Sequence, residues 1–167
     1  MAGSKRMILL DTNIIIEAVR TGCWNGLRGH HELVTVEKCR EEARSGAARK
    51  PGYVVVEDHH LNTGIQIVSV TDTDRAHLFV ECSEAMGLDQ GEKDLWAHAY
   101  SRADDWSAAC ADQAAVRVAM QLGWGDRLIS LEELVRSAGA RTKKELKTHY
   151  TTRVLSNWRT RFMLDGA

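Results

Sequence analysis

The sequence predicts an α/β fold, a three-layer α/β/α sandwich around a mostly parallel central sheet. Short apolar runs without helical spacing alternate along the chain with amphipathic segments of helical length, which is typical of this class. Two of the apolar runs end at an aspartate, Asp11 and Asp112, where a helix is predicted to begin. The 167 residues suit one domain, with 44% hydrophobic residues for a core and 27% charged residues for the surface.

The first half of the chain contains four runs of apolar and β-branched residues that predict strands, at Met7–Leu10 and at residues 33–34, 53–56 and 65–70. The last two runs flank the turn-forming sequence Asn62-Thr63-Gly64. They therefore pair as a hairpin, or one is an edge strand beside a more central one. Residues 47–51 are small and basic, which predicts a loop.

Helices in the first half are predicted where apolar residues recur every three or four positions. The first has the apolar face Ile14, Ile15, Ala18 and Val19, and Gly22 ends it. A short second segment covers residues 24–27. The third covers residues 36–44, and Thr35 is its expected N-cap.

The second half of the chain continues the alternation of helices and strands. Thr71 or Asp72 is expected to cap a helix whose apolar residues are Ala76, Phe79, Val80, Cys82 and Met86. Asp89 begins the next helix. Strands are predicted at residues 106–111 and 127–129, and helices at residues 113–122 and 131–137, the last capped by Ser130.

The C-terminal residues form a basic segment that predicts a helical extension. Residues 141–167 carry seven cationic and two acidic side chains, a net charge of +5, so residues 1–140 carry −6 of the total of −1. Val154, Leu155, Trp158 and Phe162 form an apolar stripe that is expected to pack on the α/β body, residues 1–140, or across a homodimer interface. The nucleic-acid contacts predicted beside this stripe are Lys143, Lys144, Lys147 and Arg153. The alternative is a terminal helix with ordinary solvated charges.

Several classes of protein are disfavoured by the sequence. No apolar stretch is long enough for a membrane span or a signal peptide, so a cytoplasmic protein is expected. The four cysteines are widely spaced, which argues against a zinc knuckle or a disulfide framework and predicts buried thiols. The glycine-rich phosphate loops and nucleophile elbows of other enzyme classes are missing. Residues 57–60 are interpreted as a polar turn, and Trp124 as the one tryptophan exposed for a contact.

Four acidic residues stand out by their positions: Asp11, Glu42, Glu92 and Asp112. Clustered carboxylates favour a hard divalent ion, Mg²⁺ or Mn²⁺, and a phosphate-containing substrate. Each acid also has a structural interpretation that stays open at this stage. Asp11 and Asp112 can be interpreted as N-caps of the helices that follow them. Glu92 can form a capping box with Asp89, and Glu42 can belong to a solvated helix face.

These segments, taken in order, resemble the PIN-domain ribonucleases, which include VapC-type toxins. Residues 8–13, ILLDTN, are similar to the family's opening strand and first acid, with Asn13 as its hydrogen-bonding companion. Residues 33–43, LVTVEKCREEA, resemble the segment of the second acid, and the position of Cys39 selects Glu42 over Glu41. Residues 88–95, LDQGEKDL, and residues 110–119, CADQAAVRVA, resemble the segments of the third and fourth acids, although Cys110 stands where the family often has Ser or Thr.

The resemblance implies a metal-dependent endoribonuclease that cleaves single-stranded RNA by in-line attack of water. Asp11, Glu42, Glu92 and Asp112 would hold Mg²⁺ or Mn²⁺, and Asn13 would orient Asp11 or a water molecule. The resemblance also implies an antitoxin protein as a partner. The alternative is a catalytically inactive module of the same fold that binds nucleic acid or acts as a scaffold.

Overall fold

A computed structural model describes residues 6–45 and 54–166 of the chain. The predicted loop at residues 47–51 and the predicted strand start at Tyr53 lie outside the described residues. Within the described ranges, no helix combines the length and the apolar content needed to cross a bilayer.

Four parallel strands form the central sheet of the described chain: β1 (Met7–Leu10), β2 (Glu32–Val36), β3 (Ile65–Val68) and β4 (Ser107–Ala109). Their order is β3-β2-β1-β4. Leu9 of β1 pairs with Val34 on one side and with Ala108 on the other. The hairpin alternative is wrong, because β3 is an edge strand that pairs in parallel with β2, and residues 54–57 form no strand.

The order of the strands reverses at β1. The chain adds β2 and β3 on one side of β1 and then returns to add β4 on the other side. In a parallel sheet such a reversal leaves a crevice at the carboxyl ends of the strands, since the connections leave in opposite directions. Asp11 follows β1 and Asp112 follows β4, so both aspartates lie at this crevice, as the sequence predicts.

Helices cover both faces of the sheet. Their bounds are α1 (Thr12–Thr21), α2 (Trp24–His30), α3 (Glu37–Ser45), α4 (Asp58–Leu61), α5 (Asp72–Glu81), α6 (Gln90–Ser101), α7 (Gln113–Gln121), α8 (Leu131–Ser137) and α9 (Thr152–Leu164). Short 3₁₀ turns lie at Ser83–Gly87, Gly125–Arg127 and Thr148–Tyr150. Thr71 caps α5 and Ser130 caps α8, and Gly22 ends α1 in the left-handed conformation, as predicted.

Two hydrophobic cores lie on opposite faces of the sheet, because side chains alternate along a strand. Ile8 and Leu10 of β1 pack in one core with α1, α2 and α8. Leu9, between them, packs in the other core with α6, α7 and α9. The fold is therefore α/β with an all-parallel sheet between helices, which confirms the predicted class at this level.

Some local predictions are wrong. Thr35 lies within β2 and caps no helix, and its hydroxyl donates to the carbonyl of Leu10 at 2.7 Å. The apolar face of α5 is narrower than predicted, since Val80 is 88% exposed. The strand at residues 127–129 is reduced to one bridge between Ala108 and Leu128. Residues 58–61 form the helical turn α4 where a polar turn was expected.

The C-terminal extension packs on the α/β body. Leu155 and Phe162 of α9 are buried in the same core as α7. The segment before α9 is held along α1 by hydrogen bonds that its backbone amides donate. The amide of Lys147 donates to the buried carboxylate of Glu17 at 2.9 Å, and the amide of Lys143 donates to the carbonyl of Thr21 at 2.7 Å.

Phe162→Ala tests whether the extension stabilises the domain. Phe162 is 3% exposed and fills the core beside α7, so we expect a loss of about 3 kcal/mol or more in the free energy of unfolding. Met163→Ala is the matched control, because Met163 is the next residue and is 72% exposed. The measurement is urea unfolding followed by circular dichroism. Equal stabilities of the two variants would contradict the observed packing.

Candidate metal centre

Asp11 lies at the carboxyl end of β1, in the N-cap position of α1. Its side chain makes no capping hydrogen bond to the second or third amide of α1, although the amide of Thr12 acts on it and lowers its pKa. The carboxylate is 2% exposed and also contacts two thiols. Cys39 Sγ lies 4.0 Å from Asp11 Oδ1, and Cys110 Sγ lies 3.8 Å from Oδ2. These are weak contacts, and they leave the carboxylate oxygens open to a stronger ligand.

Glu92 lies in the first turn of α6 and is 5% exposed. Asp89 caps this helix by accepting a hydrogen bond from the amide of Glu92 at 3.0 Å. In a capping box the glutamate side chain also bonds back to the backbone of the cap. The amide of Asp89 does act on the Glu92 carboxylate and lowers its pKa, but this is the smallest contribution, and burial and the neighbouring acids outweigh it. A buried carboxylate with so little compensation is costly, which points to a ligand of opposite charge.

Glu42 reaches the same cluster from α3. Its Oε2 accepts from the hydroxyl of Thr12 at 2.9 Å, and its Oε1 accepts from the amide of Gly91 at 3.1 Å. Glu42 therefore connects α3 with the residues that follow Asp11 and precede Glu92. A side chain at position 91 would overlap the Glu42 carboxylate, which explains the glycine there.

Glu41, the alternative second acid, faces away from the cluster. Its carboxylate is 67% exposed and pairs with Lys38 at 3.2 Å. The geometry thus favours Glu42 over Glu41 as the second acid. The solvated-face interpretation fits Glu41 and does not fit Glu42.

Asp112 follows β4 and caps α7. Its Oδ1 accepts from the amides of Ala114 at 2.8 Å and Ala115 at 3.0 Å, so the N-cap interpretation is right for this residue. Oδ2 has no hydrogen bond within the described residues. Capping therefore fixes the orientation of Asp112 and leaves one oxygen available. Asn13 is half-buried in the first turn of α1, and in the described chain its side chain makes no hydrogen bond with Asp11.

The four acids and Asp89 form one electrostatic cluster. Burial raises the pKa of Asp11 to about 7, and the charges of Asp89 and Glu42 act in the same direction. Burial also raises the pKa of Glu92 to about 9, with further contributions from Asp11 and Asp112. The pKa of Glu42 is raised as well, mainly by burial. Such a concentration of negative charge is relieved by protons or by a cation.

The residues present fit a divalent cation. Asp11, Glu92 and Cys110 each offer one ligand atom, and these atoms lie within 4.8 Å of one another. Glu42 and Asp112 add carboxylates whose charges act on the same group. Asp89 also belongs to this cluster, and the sequence indicated it only as a cap. Its position, one turn before Glu92 at the N-terminus of α6, is the signal that would have placed it there.

The segment that carries most of the predicted nucleic-acid contacts of the extension is bound along α1. The amide of Lys143 binds the C-terminal end of α1, and α1 has ten residues, so this contact lies about 15 Å along the helix from Asp11. Lys144 follows it, the amide of Lys147 binds Glu17 in the middle of α1, and Arg153 is exposed at the start of α9.

Trp124 is not the exposed contact that the sequence indicated. It is partly buried, and its ring lies edge-on to the rings of Trp96 and Trp106, with centroids 5.9 and 5.1 Å away. Its role is therefore in the packing of the core next to α6 and β4.

Comparisons of the chain with protein-family models, with curated proteins and with solved structures find no match.

The stability of the metal-free protein should fall as the pH rises. A carboxyl whose pKa is higher in the folded state stabilises the fold while it is protonated, and this contribution is lost as the pH rises through the folded-state pKa. For Glu92 the window runs from its ordinary value of 4.5 to about 9. We expect a loss of up to about 1.4 kcal/mol per pH unit between pH 7 and about 9.

Thermal unfolding in a chelator between about pH 7 and pH 8.5 measures this loss. Glu92→Gln removes the titrating group and should flatten the dependence, whereas the exposed control Glu41→Gln should keep it. A Glu92→Gln variant with the wild-type pH dependence would show that Glu92 does not titrate in this range.

Proposed function

We propose that this protein is a metal-dependent endoribonuclease of the PIN-domain class, which holds Mg²⁺ or Mn²⁺ through Asp11, Glu42, Glu92 and Asp112. The observation that carries the proposal is the pair of buried carboxylates, Glu92 beside Asp11, at the point where the strand order reverses. The PIN-like form of the sandwich and the toxin role with an antitoxin partner rest on the sequence resemblance.

Each acid has a distinct role in this proposal. Asp11 and Glu92 are the buried ligands, and both lose their protons when a cation binds. Glu42 is held in place by Thr12 and the amide of Gly91. Asp112 is oriented by its bonds to α7. Bound divalent ions supply the activation of water and the neutralisation of phosphate charge that phosphodiester cleavage requires.

A substrate path is favoured by a cavity next to Asp112. The cavity has a volume of about 400 Å³ and is lined by Arg117 of α7 and Arg161 of α9. Both guanidinium groups are exposed. Arg117 lies 3.8 Å from the carboxylate of Glu84, and Arg161 lies 3.8 Å from the carboxylate of Asp165, which is too far for a close ion pair. Such exposed pairs contribute little, so both arginines are available to RNA phosphates.

Asp11→Asn tests the proposed activity. The amide keeps the shape of the side chain and removes its charge, so cleavage of a mixed-sequence single-stranded RNA in Mn²⁺ should fall by at least about 100-fold. Circular dichroism checks that the fold is intact. If the wild type and Asp11→Asn cleave RNA at equal rates, the assignment of Asp11 is overturned. If the wild type binds RNA but does not cleave it, the result favours the alternative of a catalytically inactive module.

Glu42→Gln and Glu41→Gln form a matched pair that tests the identity of the second acid. The residues are adjacent in α3, but only Glu42 bonds to Thr12 and Gly91. We expect Glu42→Gln to lower the cleavage rate by about 10-fold or more and Glu41→Gln to leave it within about twofold. The reverse order of effects would show that Glu41 is the second acid.

Arg117→Glu with Arg161→Glu tests the proposed substrate path, and Lys143→Glu with Lys144→Glu is a control that changes the net charge equally. Binding is measured against salt in the Asp11→Asn background, so that RNA stays intact. Loss of two phosphate contacts should reduce the slope of log affinity against log salt by about 1.4 for the arginine pair. A reduced slope for the lysine pair alone would place the RNA at Lys143 and Lys144 instead.

A further inference from the structure

Two thiols line the acidic cluster, and they differ in their contacts. Cys39 Sγ donates to the carbonyl of Gly91 at 3.5 Å and lies 4.0 Å from Asp11 Oδ1. Cys110, at the carboxyl end of β4, contacts Asp11 Oδ2 at 3.8 Å. Cys110 is also the thiol whose sulfur lies within 4.8 Å of ligand atoms of both Asp11 and Glu92. Cys110 is therefore placed as a ligand, and Cys39 as a packing residue.

The distance between Cys110 and Asp11 is close to that between a sulfur and an oxygen ligand of one metal ion. Zinc binds thiolate sulfur at about 2.3 Å and carboxylate oxygen at about 2.0 Å in tetrahedral geometry, which separates the two ligand atoms by about 3.5 Å. The distance of 3.8 Å between Cys110 Sγ and Asp11 Oδ2 exceeds this value only slightly. The ligand atom of Glu92 lies within 4.8 Å of both.

The carboxylate of Glu92 is the third group at this position. It is 5% exposed, lies next to Asp11 and Cys110, and accepts a hydrogen bond from the amide of Asp89, with no cationic side chain bonded to it in the described chain. A site for Mg²⁺ alone would gain nothing from a thiol, because Mg²⁺ prefers oxygen ligands. Thiolates favour softer ions, of which Zn²⁺ and Cd²⁺ are the divalent examples tested below.

We propose that Cys110, Asp11 and Glu92 form a mixed thiolate and carboxylate site that binds Zn²⁺ or Cd²⁺ more tightly than Mg²⁺. The thiol of Cys110 releases its proton to solvent when the ion binds. The consequence for activity rests on the proposed nuclease function. A thiophilic ion occupies Asp11 and Glu92, so it competes with Mg²⁺ or Mn²⁺ and inhibits cleavage.

The test is a titration of the full-length, metal-free protein with Cd²⁺ in a reductant that contains no thiol. A bond between Cd²⁺ and a thiolate gives a charge-transfer absorption band in the ultraviolet. We expect this band to saturate at one equivalent in the wild type and to be absent in Cys110→Ser and Cys110→Ala. Mg²⁺ gives no band and serves as the blank.

Cys39→Ser is the matched control, because Cys39 is also buried beside Asp11. We expect it to retain the band. Glu92→Gln should keep a sulfur band but lower the Cd²⁺ affinity by at least about 10-fold. A band that persists in Cys110→Ser, or that disappears in Cys39→Ser, would overturn the assignment of Cys110.

RNA cleavage and Cd²⁺ binding are measured separately, so the nuclease function and the thiolate site can fail independently. A protein that cleaves RNA in Mn²⁺ but gives no band with Cd²⁺ overturns the thiolate site and leaves the nuclease. A protein that gives the band through Cys110 but cleaves no RNA supports the site and overturns the nuclease. In a protein that does both, Cd²⁺ should inhibit wild type at concentrations at least about 10-fold below those needed for Cys110→Ser.

Discussion

The mutual repulsion of carboxylates at one end of the sheet is the interaction on which the rest of this molecule depends. Asp11 and Glu92 are almost completely buried, and their pKa values are raised because burial and neighbouring acids disfavour the charged forms. The main contributions to these shifts come from burial, neighbouring acids and backbone hydrogen bonds. This arrangement lowers the free energy of unfolding at neutral pH, and such a local loss of stability is typical of functional sites.

The surrounding structure holds the repelling groups together. Parallel pairing of β1 with β4 places Asp11 and Asp112 in neighbouring positions, and a small residue at position 91 lets α6 approach α3. The bonds of Glu42 to Thr12 and to the amide of Gly91 then connect three helices across the crevice. These bonds orient the Glu42 carboxylate before any ligand binds, so less conformational entropy is lost at this residue when a cation arrives.

Much of this arrangement was predictable from the sequence. An apolar run that ends in Asp11 and another that leads to Asp112 indicated parallel strands, and the rule that ligands bind where strand order reverses placed both residues at one site. Caps at Thr71, Asp89 and Ser130 were also predictable, because they depend on local hydrogen bonds.

The features that sequence patterns missed depend on contacts between distant segments. Thr35 has the composition of an N-cap, but the pairing of β2 with β1 directs its hydroxyl to Leu10. The backbone contact of Lys143 with the end of α1 also joins segments that are distant in the sequence, and no local pattern indicates it. The sequence does not distinguish Cys110 from other buried thiols, because the contact of its sulfur with Asp11 joins residues that are far apart in the chain.

The most direct measurement of the central claim is a crystal structure of the protein grown with Mn²⁺, with the metal located by its anomalous scattering. We expect an anomalous-difference peak within bonding distance of both Asp11 and Glu92. A well-ordered site with no peak, or with its only peak remote from both residues, would contradict it.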